Sequence, residues 1–263
     1  MSIESELGSE VGRMAREAGA LLLRRCHATR TVTRKGPVDI VTDADEAAEA
    51  LLLEAIERAF PGAAVLAEES GDHAGGADDL RFIIDPLDGT VNYASGLPHF
   101  AVSVGVEQAG LLVAGAIYDP CRDELFLAVK GEGARCNGER LAVLDSPPGD
   151  AVLATGFPYD VRTRGAEPFR LFEAFVLNSR AVRRFGSAAL DLAWTAAGRY
   201  HGYWERGVKP WDVAAGVLLV REAGGVCLDY EGHEAAVDAG EVVAAAPRLA
   251  RNMVERIRAT ITA

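Results

Sequence analysis

The stretch Phe82-Ile83-Ile84-Asp85-Pro86-Leu87-Asp88-Gly89-Thr90 constrains this chain more than any other. Its apolar start, residues 81–85, reads as a short buried strand. That strand delivers Asp85 to a sharp turn, where Pro86 fixes one dihedral and Gly89 permits close backbone approach. Asp88 follows three residues after Asp85, with the Thr90 hydroxyl just behind. Two carboxylates converging at a strand end can share hard cations; Mg²⁺ takes oxygen ligands octahedrally and keeps several waters. The fragment alone is also compatible with two turn carboxylates in water.

Further carboxylates recur at the ends of elements. Glu68 and Glu69 follow a strand at Ala64–Ala67, Asp45 sits in the first turn of a helix starting near Asp43, and Asp212 opens another helix. Each has a plain structural explanation. Asp45 is the reciprocal partner expected in a capping box with Thr42, Asp212 reads as a helix N-cap, and Glu68 and Glu69 as solvated loop charges. Together, four carboxylate-bearing segments lie beside tight turns.

Around them the periodicity sets out the rest of the chain. Leu7, Val11, Met14, Ala18 and Leu21 have the spacing of an amphipathic helix. The helix from Asp43 runs to about Phe60, where Pro61-Gly62 stops it, and residues 71–79 read as a mobile loop. Residues 101–107 and 111–118 form a hairpin about Gly110, 124–129 a further strand and 131–138 a loop. In the second half, 151–155 and 242–246 read as strands, and 167–177, 187–198, 212–223 and 248–260 as helices. Pro147-Pro148-Gly149-Asp150 is the one candidate for a subdomain boundary in a single domain over 1–263. Strands in hairpins and between helices predict an α+β fold with helices layered on antiparallel-rich sheets.

Composition narrows the function classes. Lys plus Arg number 27 against 39 Asp plus Glu, a formal charge of −12. That balance argues against a nucleic-acid binder, and equally against attachment to an anionic membrane. Cys26, Cys121, Cys136 and Cys227 are far apart with no CxxC pair, which predicts buried thiols in a reducing cytosol. The polar N-terminus has no secretory pattern and no apolar run reaches membrane-spanning length, so the expected location is cytoplasmic. The five histidines, His27, His73, His99, His201 and His233, are scattered, and His99 reads as structural or solvated. Arg183 and Arg184 are candidates to touch substrate or a partner subunit, with solvated or salt-bridged arginines the plainer reading.

Seven blocks in order carry a family resemblance. They are Lys35-Gly36-Pro37-Val38-Asp39 through Asp45, Glu68-Glu69-Ser70, residues 84–93, Leu97-Pro98-His99-Phe100, Gly156-Phe157-Pro158-Tyr159, residues 183–191, and Trp211-Asp212 running to Gly225. They resemble the inositol monophosphatase family of Mg²⁺-dependent, Li⁺-sensitive phosphatases, and look most like its bacterial inositol-1-monophosphatase branch. The resemblance implies a layered αβαβα sandwich, a homodimer, and two or three Mg²⁺ per subunit. Glu68, Asp85 and the Leu87 carbonyl would hold a first metal. Asp85, Asp88 and Asp212 would hold a second, with a third leaning on Glu68. Asp45 and Thr90 would polarise the attacking water, and the backbone at Gly89 and Thr90 would cradle phosphate. Asp88 and Asp212 would also face the substrate, while Ala188 and Glu205 would touch its alcohol portion. Glu205 is placed by lying seven residues before Asp212, on the short polar segment Trp204-Glu205-Arg206-Gly207; its alternative is surface pairing with Arg206 or Lys209. Ala67 and Val91 replace a Gly and a Thr frequent in the family, without removing a side-chain ligand.

The function so implied is hydrolysis of inositol monophosphate to myo-inositol and phosphate, with a small phosphorylated polyol as the partner. Two alternatives stand beside it. One is the same chemistry on fructose 1,6-bisphosphate, a nucleotide 3′-phosphate or histidinol phosphate. The other is a regulatory, protein-binding role on the same scaffold.

Overall fold

The computed structural model describes residues 3–26, 32–34, 40–76 and 80–262. Residues 35–39 of the first motif, residues 77–79 of the expected loop, and His27 lie outside them. In chain order the elements are α1 (Ile3–Arg25), β1 (Val32–Arg34), β2 (Ile40–Thr42), α2 (Asp43–Ala59), β3 (Ala64–Ala67), β4 (Gly71–His73), β5 (Leu80–Asp88) and α3 (Thr90–Ala94). There follow β6 (Ala101–Gln108), β7 (Leu111–Asp119), β8 (Glu124–Val129), β9 (Gly133–Cys136) and β10 (Glu139–Arg140). The second half holds β11 (Val152–Thr155), α4 (Glu167–Asn178), β12 (Ala181–Arg183), α5 (Ala188–Ala196), β13 (Gly202–Arg206), α6 (Pro210–Glu222), β14 (Val226–Leu228), β15 (Glu241–Ala245) and α7 (Pro247–Ile261).

Two sheets organise the molecule. The larger runs β10-β9-β8-β7-β6-β5-β3-β4 and the smaller β12-β11-β13-β15-β14, while β1 and β2 form a separate pair. Among the described strands only β3–β5, β11–β12 and β11–β13 pair parallel. The helices α1 and α2 cover one face of the large sheet, α5 and α6 fill the space between the sheets, and α4 and α7 cover the far face of the small one. This is the αβαβα sandwich. The Pro148–Asp150 turn lies where the chain passes from one sheet to the other.

Local chemistry explains the layers. Leu7, Val11, Met14, Ala18 and Leu22 of α1 are buried against the large sheet; Leu22, not the expected Leu21, completes the stripe. Between the sheets, α6 is buried from Val213 through Val220. It presses directly on β6 and β7. A Cβ at Gly105 would meet the Ala214 Cβ at 2.7 Å, and one at Gly115 would meet the Ala215 Cα at 3.0 Å. The Ser103 hydroxyl donates to the Trp211 carbonyl at 3.2 Å, which fixes the start of α6 against β6.

Several expectations are corrected. The strand expected at 81–85 continues through Pro86 to Asp88, with an irregularity in its pairing to β6 between Asp85 and Asp88. Residues 71–73 pair with β3, and residues 133–136, expected as loop, pair with β8. The polar segment around Glu205 is β13, inside the small sheet between β11 and β15. Ser187 caps α5 instead of belonging to it, and Asp212 is the third residue of α6, behind Pro210, not its N-cap. All four cysteines are free thiols. No described helix is long and apolar enough to cross a membrane.

His99 is a buried structural residue, its ring 5.1 Å from that of Phe185 and 5.4 Å from that of Trp194. Burial, reinforced by Arg122, lowers its pKa from 6.5 to about 4. In that window the unfolded chain binds the extra proton, so stability falls as pH drops through it. Replacing the ring by Phe (His99→Phe) should flatten the melting temperature between pH 6.5 and about 4, relative to the parent chain. Melts followed by circular dichroism across that range check it, and an unchanged slope would exclude His99 as the cause.

Candidate active site

Four acids of the site, Asp45, Asp85, Asp88 and Asp212, stand near the ends of three elements, and each has a carboxylate oxygen tied to its own scaffold. Asp85 Oδ1 accepts the Leu87 N–H at 2.9 Å, closing the turn around Pro86. Asp88 Oδ2 accepts the Ser187 hydroxyl and, at 2.9 Å, the Ala189 N–H, so β5 caps the start of α5. Asp212 Oδ2 accepts the Lys209 N–H at 2.7 Å. Asp45 Oδ2 accepts the Thr42 N–H at 2.9 Å, its half of the capping box, and also the Thr42 hydroxyl at 2.5 Å. Its other oxygen, Oδ1, lies 3.0 Å from the Thr90 hydroxyl. The structural and functional readings of Asp45 therefore fall on different oxygens of one group. Thr90 Oγ1 is also 3.0 Å from the Leu87 carbonyl, so its single proton serves one acceptor at a time.

Crowding of these acids shapes their protonation. Burial raises Asp85 well above the carboxylate range, and the charges of Glu68, Asp88 and Asp212 push the same way. Burial lifts Asp88 to about 6, opposed by the Ser187 hydroxyl and the amides that open α5. Asp212 is raised well above its ordinary value by burial and then by Asp88. Burial also raises Asp45, against the hydrogen bonds from Thr42 and Thr90. A buried group of like charges with oxygen-only donors fits hard cations. Among the described residues no three His, Cys, Asp or Glu side chains already close on a single point. A cation here would complete its shell with a main-chain oxygen and water, as Mg²⁺ does.

Beside the acids opens a cavity of about 380 Å³. Asp88, Gly89, Thr90, Ala188, Glu205 and Asp212 all line it, while Asp45, Glu68, Asp85 and Leu87 do not. Glu69 points its backbone N–H to Glu49 Oε2 at 2.9 Å. Glu205 Oε2 accepts the Tyr203 hydroxyl at 2.7 Å. Burial lifts its pKa to about 7, opposed by Tyr203 and the Arg184 charge. The surface pairing considered for Glu205 is not what forms: Arg206 pairs with Glu167 and Glu241.

Sequence reasoning missed two contributors and ranked a third, Arg184, below its plainer reading. Arg184 lines the cavity, whereas Arg183 turns back to the Val182 carbonyl at 3.2 Å. The Asn92 amide donates to the His99 and Phe185 carbonyls, both at 2.8 Å, and so ties α3 to the loop before α5. Tyr203 holds Glu205. The alternation of β13 places Tyr203 and Glu205 on one face, a signal available only once that strand is recognised.

With this geometry in hand, comparison with known proteins decides the family. The inositol monophosphatase family profile matches residues 6–262. The chain belongs to the inositol monophosphatase family. It is 42% identical to the Nus factor SuhB of Escherichia coli K12 over 249 residues, 94% of this chain and 93% of that protein. The crystal structure of the extragenic suppressor protein suhB from Bartonella henselae superimposes with a TM-score of 0.92 at 38% identity, covering 96% of this chain and 98% of that one. The inositol monophosphatase of Anabaena gives 0.89 at 38% identity, covering 97% and 96%. Membership in this family supports a phosphatase acting on a phosphorylated substrate.

The two oxygens of Asp45 can be separated by mutation. Thr42→Ala should cost about 1 kcal/mol of stability, the value of a lost N-cap, and largely retain turnover. Thr90→Ala should keep stability but slow phosphate release by ~10²-fold, the scale of a positioned proton acceptor. Denaturant unfolding and steady-state kinetics on both variants check the division. A reversed pattern would reassign the roles.

Proposed function

We propose that this chain hydrolyses inositol monophosphate to myo-inositol and phosphate, using Mg²⁺. One observation carries the reading: one cavity is lined both by Asp88 and Asp212 of the buried acid group and by Glu205. The inositol monophosphatase of Anabaena, 38% identical, supports the substrate. Divalent cations held by Glu68, Asp85, the Leu87 carbonyl, Asp88 and Asp212 would neutralise the phosphate dianion and acidify a water. The chain's own residues supply the rest. Thr90 donates its proton to Asp45 Oδ1, which leaves the Thr90 oxygen as an acceptor for the attacking water's proton. The Thr42 backbone N–H keeps Asp45 from turning away. The backbone at Gly89 and Thr90 cradles the phosphate, and Glu205 accepts hydroxyls of the ring. A homodimer in the cytoplasm belongs to the same proposal.

A second reading, a regulatory protein that binds another macromolecule, is favoured by relatives at 42% identity that bear the name Nus factor SuhB. The two readings are compatible on one chain. A hydrolytically dead but folded variant separates them, because partner capture would survive in it.

Inositol 1-phosphate should release phosphate in the presence of Mg²⁺ and be inhibited by millimolar Li⁺. Asp85→Asn should abolish both turnover and the Mg²⁺ heat seen by titration calorimetry, with the fold intact. Unchanged affinity and rate would remove Asp85 from the site.

Glu205→Ala should cut kcat/KM for inositol 1-phosphate by about tenfold or more, the scale of one lost hydrogen bond to a charged group. Glycerol 2-phosphate should lose much less. Equal losses on both esters would take Glu205 out of substrate choice.

A further inference from the structure

A carboxylate that selects an alcohol must be held still, because the last torsion of a glutamate is soft and broad. Glu205 is held from three directions. Its Oε2 accepts the Tyr203 hydroxyl at 2.7 Å, and Oε1 carries no hydrogen bond to the described residues. The carboxylate lies flat against the bare Cα of Gly156, where any Cβ would collide with its carbon and both oxygens. Arg184 stands on the cavity side, and its charge favours the ionised form. Tyr203 is itself fully buried, and it sits on the central strand of the small sheet. The Thr155 hydroxyl pins the Trp204 carbonyl between the two residues at 2.7 Å. The phenol cannot wander, and burial together with Glu205 keeps it protonated as a donor.

We propose that Tyr203 is a positioning residue for substrate choice: its hydroxyl, with the bare Gly156, presents one oxygen of Glu205 to a hydroxyl of the alcohol portion. A glutamate left to rotate would offer either oxygen at no fixed place, and a ring hydroxyl would gain little over an ester lacking one. Tyr203 never touches the phosphate. Its effect belongs to binding of the alcohol and not to the hydrolytic step. This rests on the polyol reading of the preceding section.

The test uses the full chain with Mg²⁺ and two esters, myo-inositol 1-phosphate and p-nitrophenyl phosphate, whose alcohol portion carries no aliphatic hydroxyl. Tyr203→Phe and Gly156→Ala are compared with the parent after melting curves establish that they fold. In both variants KM for inositol 1-phosphate should rise about tenfold while kcat stays within ~2-fold, and p-nitrophenyl phosphate should change by less than ~2-fold in either constant. A merely structural role would damage both esters alike, and that result overturns the proposal. So does a parent preference for inositol 1-phosphate that survives in both variants. If Tyr203→Phe fails to fold, Gly156→Ala decides alone. A parent that shows no preference for hydroxyl-bearing alcohols removes the polyol reading, and this inference falls with it.

Discussion

Every acid lining or backing the cavity for which a hydrogen bond is resolved has one oxygen committed to its own scaffold. Asp85 closes its turn on Leu87, Asp88 caps α5, Asp212 reaches back to Lys209, Asp45 closes the Thr42 box, and Glu205 takes the Tyr203 phenol. Buried carboxylates repel one another and lose hydration, so a cluster of them needs local donors to exist at all. Those donors also set direction. Each group arrives with one oxygen fixed; in Asp45 the other takes the Thr90 hydroxyl, and in Glu205 the other faces no hydrogen-bond donor among the described residues. Preorganisation of this kind lets a polar site act without rearranging as the reaction proceeds.

The same bonds join the layers. Asp88 belongs to the large sheet but caps a helix of the middle layer, so the two cannot separate without exposing an unsatisfied helix start. Asp45 comes from the outer helical layer and meets Thr90 at the far end of β5. Glu205 comes from the small sheet. The cavity is therefore lined from both sheets and the middle layer together, with the outer helical layer reaching it through the contact of Asp45 with Thr90.

Much of this was legible in the sequence, because the acids follow strands and turns with strong local signals: the Pro86 turn, the Thr42–Asp45 spacing and the helix start beside Asp212. What sequence reasoning could not see was that structural and functional explanations of one carboxylate are not rivals. Short strands were also hidden. The four residues of β9 begin with a glycine, and the three of β12 are too few to show a period of two. In β13, Glu205 and Arg206 mimic a solvated turn, yet one faces the cavity and the other is neutralised by Glu167 and Glu241. Arg183 and Arg184 differ only in which way an exposed strand end turns them, and no local pattern records that.

The contact of α6 with the backbone of β6 and β7 through Gly105 and Gly115 bears on how such an enzyme changes over time. That seam admits no added atom, so the angle at which Asp212 meets the end of β5 is not open to gradual adjustment. The loop around Gly156-Phe157-Pro158-Tyr159 and the turn at Arg184 border the same cavity without being clamped in that seam. Divergence toward new esters is thereby channelled into those two segments, and the hydrolytic end is inherited unchanged.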